Sequence, residues 1–141
     1  MDFPAKIRRI KVLEQEESSQ ALREIISFLN DGEPAVRAQA VISLATFRSE
    51  QAVKALVLAL DDDDAPVRCL ACASLAKLGM KSALPAIYRA MEEDKDRKVR
   101  EYAKKAAKEI ADAQPTADFQ VFEEEKGQKP FFGQRCHDLF H

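Results

Sequence analysis

Between residues 31 and 100 the chain repeats one spacing of charged residues three times. In each instance an aspartate stands six residues before an arginine that follows a valine: Asp31 and Arg37, Asp62 and Arg68, Asp94 and Arg100. The apolar residues behind the first pair recur 31 residues later, as Leu44 does at Leu75. Recurrence at this interval is typical of stacked helical repeats. We therefore predict an all-α fold, a right-handed α-solenoid of antiparallel helix pairs.

Apolar residues spaced three and four positions apart predict a series of helices along the chain. The predicted ranges are 3–14, 18–29, 34–47, 50–60, 66–78, 81–92 and 97–112. The first helix lacks an aspartate and arginine pair, as expected of a cap whose outer face meets water. Pro34 and Gly79 stand where one helix begins and another ends, as is usual for these residues.

The helical pattern stops at residue 112, before any second helix of the fourth unit. Ile110 and its neighbours are therefore expected to present an uncovered face, and we expect the apolar cluster from Phe119 to Phe122 to fold back over it. We therefore predict that the chain has two parts. Residues 1–114 form a repeat domain with a capping helix, three helix pairs or nearly so, and a terminal half-repeat, and residues 115–141 form an extended C-terminal tail.

The net charge and the hydropathy pattern limit the classes of partner. Charged residues make up 33% of the chain, and their opposite charges nearly cancel, which leaves a net charge of −2. The overall charge therefore gives no reason to expect nucleic acid or an anionic membrane as a partner. No apolar run approaches the roughly 20 residues that span a bilayer, and the charged N-terminal residues do not match a signal peptide. Three cysteines favour a reducing compartment over a disulfide framework. We expect a cytoplasmic protein without a membrane segment.

The repeated residues resemble a HEAT repeat, most closely the short type of the phycobilisome-lyase-like HEAT family. The matching pattern is D-x5-R with valine before the arginine, then A-x3-L in the first helix of a pair and A-x3-L-x2-A-L in the second, within residues 15–112. The resemblance implies that the aspartates and arginines hydrogen-bond along the stack as a structural ladder. The competing interpretation is an anion-binding row of arginines, which the neighbouring carboxylates disfavour.

Enzymes with HEAT-like folds carry motifs that this sequence lacks. The resemblance extends to di-iron hydroxylases, which use recurring His-Glu pairs, whereas the histidines here are His137 and His141 and neither precedes a glutamate. Other relatives attach bilin chromophores or excise alkylated bases, and we find no motif for either reaction. A Ser/His/Asp set and a glycine-rich phosphate loop are also missing from the sequence. We therefore predict a protein that is not an enzyme, with no catalytic residues and no cofactor.

Cysteine and histidine residues raise the alternative of a metal-binding or lyase-type accessory factor. Cys69 and Cys72 supply, with His137 and His141, the ligand types of a zinc site, and Cys136 could join the same histidines. Both Cys69 and Cys72 replace small apolar residues of the preceding repeat, and buried cysteine packs as such a residue. We therefore predict no metal site.

A basic last helix raises the alternative of nucleic-acid binding. The lysines of this helix are Lys98, Lys104, Lys105 and Lys108. Acidic residues interrupt them, and no aromatic residues alternate with them as in many single-strand binders. We therefore favour a solvated face over a nucleic-acid surface.

Comparison of the second helices of successive repeats indicates a binding groove. Positions that stay apolar in every repeat belong to the core, whereas positions that vary face solvent and are free to take part in binding. The variable positions and one position at the core margin define a groove with basic edges and an apolar floor: Arg23, Ser27, Lys54, Leu58, Tyr88 and Arg89. Such a groove suits an acidic, amphipathic peptide or helix. The competing interpretation is that these are ordinary surface residues without a role in binding.

The sequence thus predicts a non-catalytic protein-protein interaction module, a small adaptor or assembly subunit. We expect a protein partner within a complex rather than nucleic acid or a membrane. A second candidate surface is the aromatic part of the tail, which could become ordered against a partner. Its residues are Phe131, Phe132, Leu139 and Phe140. Solenoid ends can also stack on one another, which leaves a homodimer open.

Overall fold

The computed structural model describes residues 2–113. Within this range the helices are α1 (Phe3–Glu16), α2 (Ser19–Ser27), α3 (Pro34–Leu44), α4 (Glu50–Ala59), α5 (Ala65–Leu78), α6 (Leu84–Glu93) and α7 (Arg97–Asp112). Two 3₁₀ turns, Phe28–Asn30 and Lys81–Ala83, adjoin α2 and α6. No strand occurs in the described range, and the fold is the predicted all-α solenoid, with three helix pairs followed by a single helix.

Local residues explain where the helices begin and end. The side chains of Asp2, Ser18 and Ser49 each accept a hydrogen bond from the backbone N–H three residues on, which satisfies a free donor of the first turn. At the end of α5, Gly79 adopts a left-handed conformation with φ of 69°, and its N–H donates to the carbonyl of Leu75. These caps fix where α1, α2 and α4 begin and where α5 ends.

The first helices of the pairs pack in series, α1 on α3, α3 on α5 and α5 on α7, while the second helices pack against them. Equivalent positions of successive repeats are buried alike: Leu13, Leu44 and Leu75 are almost or fully inaccessible. Polar bonds join the first helices as well, since the buried Ser74 Oγ donates to the backbone carbonyl of Val41 at 3.1 Å. The core is therefore continuous along the stack and has the same residue positions in each repeat.

The last helix buries its apolar face, contrary to the expectation that Ile110 would be uncovered. Ile110 is fully buried, and α7 packs against both α5 and α6. The expectation was wrong because it assumed that a second helix of the fourth unit is needed to cover this face, whereas α5 and α6 of the preceding repeat cover it. The exposed side chains of α7 are mostly charged, for example Lys104 and Lys108.

The sequence predicts no membrane-spanning segment. None of the helices in residues 2–113 is both long enough and apolar enough to cross a bilayer.

Candidate functional site

The aspartates and arginines of the repeated motif form bonds that cross from one repeat to the next. Arg37 Nε and Nη2 donate to the two carboxylate oxygens of Asp62 at 2.9 and 3.1 Å. The third nitrogen, Nη1, donates to the backbone carbonyl of Asp31 at 2.9 Å. The same guanidinium therefore holds the turn before its own helix and the turn before the next first helix.

The next step of the ladder is more deeply buried. Arg68 Nε and Nη2 bind the carboxylate of Asp94 at 2.9 and 3.2 Å, and Nη1 donates to the carbonyl of Asp62 at 2.7 Å. The side chains of Arg68 and Asp94 are only 7% and 8% exposed. Although burial alone would raise the pKa of Asp94, hydrogen bonds from the Asp96 backbone and from Arg68 hold that pKa below its ordinary value. The two groups are thus both charged and both satisfied inside the fold.

The ladder begins with a lysine, Lys6, that was not among the predicted ladder residues. Lys6 Nζ donates to Asp31 Oδ1 at 2.6 Å, and this hydrogen bond is the main reason that the pKa of Asp31 lies below its ordinary value. Lys6 stands 31 residues before Arg37, so the repeat register could have identified it. A lysine at this position does not match the D-x5-R pattern.

The predicted groove residues Arg23, Lys54 and Leu58 line one cavity of about 500 Å³ between α2 and α4. Arg23 and Lys54 are exposed cations, and Leu58 is 72% exposed, the most exposed of the large apolar side chains in the described range. The partly buried Ile26 and Leu29 form apolar lining beside them. These residues give the cavity an apolar surface and two cationic side chains.

Three further lining residues bring hydrogen-bonding groups to this cavity. Gln51 Oε1 is buried and accepts no hydrogen bond from the described residues. A buried acceptor without a donor costs about 1–3 kcal/mol, so a donor from a bound molecule would be favoured if the amide turned toward it. Asp61 and Asp62 add carboxylates to the lining, which therefore carries two acidic and two basic side chains.

The other three predicted groove residues lie outside this lining. Arg89 contributes to a smaller cavity beside α6, and its Nη2 lies 3.9 Å from Asp61 Oδ1. Ser27 Oγ donates to the backbone carbonyl of Glu24 at 2.6 Å. Tyr88 is 45% exposed on α6. The structure therefore divides the predicted groove into a compact α2–α4 part and a separate surface on α6.

The two cysteines in α5 have different environments. Cys72 is fully buried, and burial raises the pKa of its thiol to about 12. Cys69 is half-buried, and burial also raises its thiol pKa. Among residues 2–113 no group of three or more His, Cys, Asp or Glu side chains could hold a metal ion. The thiol of Cys72 therefore acts as a small apolar group in the core.

Several predicted residues fall outside the described range. These are the tail residues Phe131, Phe132, Leu139 and Phe140 and the candidate ligands Cys136, His137 and His141. The predicted boundary between residues 1–114 and 115–141 also adjoins that range, so the division into domain and tail stays a prediction. The lysines of α7, in contrast, are described, and Lys98, Lys104, Lys105 and Lys108 are all exposed.

Comparison with known proteins agrees with the repeated architecture. The family model for HEAT repeats matches residues 2–68 and again 53–120. No curated protein matches the chain significantly. HEAT repeats are generally protein-interaction modules and typically non-enzymatic scaffolds. With most of its length matched by that model, the chain belongs to the HEAT repeat family.

Proposed function

We propose that this protein is an adaptor or assembly subunit that binds an acidic, amphipathic segment of a partner protein in the cavity between α2 and α4. The observation that carries the proposal is the exposed Leu58 beside Arg23 and Lys54 in one lining. An apolar contact with cationic edges is complementary to a helix or peptide whose apolar residues alternate with carboxylates. We infer that the partner remains bound within a complex.

The exposed fraction of Leu58 sets the scale of the apolar contribution. Burying a whole leucine side chain stabilises by about 1.5–3 kcal/mol. Because 72% of Leu58 is exposed, covering it would contribute about 1–2 kcal/mol, or roughly five- to thirtyfold in Kd. The side chain is therefore a candidate anchor, and Arg23 and Lys54 would mainly select for acidic partners and speed association.

The aromatic tail is a second binding element in this proposal. Phe131, Phe132, Leu139 and Phe140 are large apolar residues in a short stretch of sequence. A segment of this composition can become ordered on a partner surface, at some entropic cost. Groove and tail would then engage the same complex, and linkage of two contacts raises the overall affinity.

Affinity purification of the full chain from its native cells, at moderate salt, tests the proposal. The informative variant is Leu58→Asp, and the matched control is Val12→Asp, which alters an exposed apolar residue of α1 that is 52% accessible and outside the cavity. We expect Leu58→Asp to weaken partner binding by about fivefold or more, with little effect of the control. Equal recovery with both variants, or equal loss, would contradict a role for the groove.

Experiments on the same purified protein distinguish the adaptor from the two alternative functions. Nucleic-acid binding through α7 predicts recovery that falls steeply with salt and depends on Lys104, Lys105 and Lys108. A metal-binding accessory factor predicts stoichiometric metal in the purified full chain, lost on substitution of His137. Recovery of a protein partner that is sensitive to Leu58→Asp and carries an acidic segment would favour the adaptor over both.

A further inference from the structure

The charged residues that line the cavity between α2 and α4 lie at opposite ends of it. Arg23 and Lys54 occupy equivalent positions of successive repeats, near the middle of α2 and of α4. Asp61 and Asp62 follow the end of α4. At a rise of 1.5 Å per residue, Lys54 and Asp61 are separated by about 10 Å along the axis of α4. The cavity therefore has a cationic end and an acidic end.

Three of these four charged side chains are available to a bound molecule. Asp62 is not, because Arg37 binds both of its carboxylate oxygens, at 2.9 and 3.1 Å. The Asp61 side chain is 74% exposed, and its contact with Arg89 is 3.9 Å long, so water screens this pair and it contributes little. Within residues 2–113 neither Arg23 nor Lys54 forms an ion pair. Both ends of the cavity therefore retain charge that an occupant can neutralise.

Apolar side chains line the cavity between its two charged ends. Ile26 of α2 and Leu58 of α4 come after the two cations and before Asp61 in the order of the lining. An occupant with carboxylates along its whole length would place some of them beside Asp61, and one with only basic residues would place some beside Lys54. Like charges that face each other disfavour both arrangements.

We infer that the occupant is a helix of the partner that is acidic at one end and basic at the other. Its acidic residue faces Arg23 and Lys54, its basic residue faces Asp61, and an apolar residue between them covers Leu58. A groove between two helices accepts a third helix through such side chains. A separation of about 10 Å corresponds to seven helical residues, which places the apolar residue three or four positions from each charge.

This inference rests on the proposed function and narrows the class of partner. The proposed function requires carboxylates beside the two cations of the groove. The position of Asp61 adds the requirement for a cation about two helical turns away. The groove would then distinguish its partner from segments that are acidic throughout, and this selection comes from charge placed at both ends of the cavity.

Titration of the isotope-labelled full chain with three synthetic peptides, followed by nuclear magnetic resonance, tests the inference. The peptides share a central leucine, blocked termini and one side-chain staple that holds them helical. At two positions about seven residues apart, they carry glutamate and lysine, two glutamates or two lysines. We expect the mixed-charge peptide to bind most tightly, by up to about fivefold for each exposed charge pair, with shifts at the amides of Lys54 and Leu58.

Substitution of Asp61 shows whether the acidic end causes this preference. The variant is Asp61→Asn, and the matched control is Asp63→Asn, which removes an exposed carboxylate of the same turn that lies outside this cavity. We expect Asp61→Asn to abolish the preference for the mixed-charge peptide over the peptide with two glutamates. Asp61→Lys should reverse the preference, and the control should keep it.

The outcomes separate this inference from the proposed function. Tightest binding of the peptide with two glutamates, with shifts at Lys54 and Leu58, would overturn the inference and leave the proposed function standing. A preference for the mixed-charge peptide that survives Asp61→Asn, or that the control abolishes equally, would also overturn the inference alone. Binding of none of the three peptides, or binding that Leu58→Asp does not weaken, would overturn both.

Discussion

Arg68→Ala should be the most damaging single change in the ladder. Arg68 and Asp94 are 7% and 8% exposed, so removal of the guanidinium leaves a nearly buried carboxylate without its cation. The backbone carbonyl of Asp62 also loses its 2.7 Å donor. Breaking a buried ion pair by deleting one partner typically costs about 3–5 kcal/mol. We expect the free energy of unfolding to fall by that amount.

The magnitude should follow burial along the ladder. The side chains of Arg37 and Asp62 are 14% and 11% exposed, and Lys6 is 30% exposed. Arg37→Ala should therefore cost less than Arg68→Ala, and Lys6→Ala should cost about 1 kcal/mol or less, as water-accessible pairs do. Replacing both members of the buried pair, by Arg68→Met with Asp94→Leu, should recover part of the loss because no lone charge remains.

Urea unfolding followed by circular dichroism at 222 nm measures these differences for the full chain. The slope with urea should be unchanged among the variants, so that shifts in the midpoint report stability alone. Equal losses for Lys6→Ala and Arg68→Ala would refute the reasoning. A loss below about 1 kcal/mol for Arg68→Ala would also refute it, because it would mean that water solvates the carboxylate of Asp94 once the guanidinium is removed.

The remaining predictions concern the core, pH and thiol access. Leu56→Ala, at a fully buried position, should cost about 2–5 kcal/mol in urea unfolding, whereas Lys105→Ala on the exposed face of α7 should change stability by no more than about 0.5 kcal/mol. The lowered pKa of Asp94 means that its stabilisation is complete above about pH 4 and is lost as the pH falls through the folded-state pKa. Asp94→Asn should accordingly make unfolding less sensitive to acid in a pH series. Labelling with a thiol reagent should modify Cys69 before Cys72, whose buried thiol has a pKa of about 12.

The register of the repeats explains why most of the fold was predictable. Residues such as Leu44 and Leu75 occupy the same position 31 residues apart and are both fully buried. The observed helix ends differ from the predicted ones by a few residues, because local hydrogen bonds determine where a helix begins and ends. The predicted helix 81–92, for example, begins with the 3₁₀ turn Lys81–Ala83 before α6 starts at Leu84.

The candidate site was less predictable, since variable positions identify a face without showing which residues share a cavity. Arg23, Lys54 and Leu58 line the same cavity, and their role in binding stays a prediction. Arg89 lies near the carboxylate of Asp61 in another cavity. Sequence spacing does not reveal this division, because it depends on how α4 and α6 are placed relative to each other.

The D-x5-R motif by itself also does not show which repeats the charged bonds of the ladder connect. The spacing of six residues within each pair suggests a bond between Asp62 and Arg68, and the structure does show one, from Arg68 to the backbone carbonyl. The charged bond, however, runs from Arg68 to Asp94 in the next repeat. Only the packing of successive first helices brings these two groups together.

Site-specific photocrosslinking in native cells tests the proposed binding groove most directly. A photoreactive amino acid placed at Leu58, with Val12 as the matched control position, reports what contacts each exposed side chain. We predict that position 58 crosslinks to an acidic, amphipathic segment of one partner protein and that position 12 does not. Crosslinks at position 12 alone, or to basic segments or nucleic acid at position 58, would contradict the account.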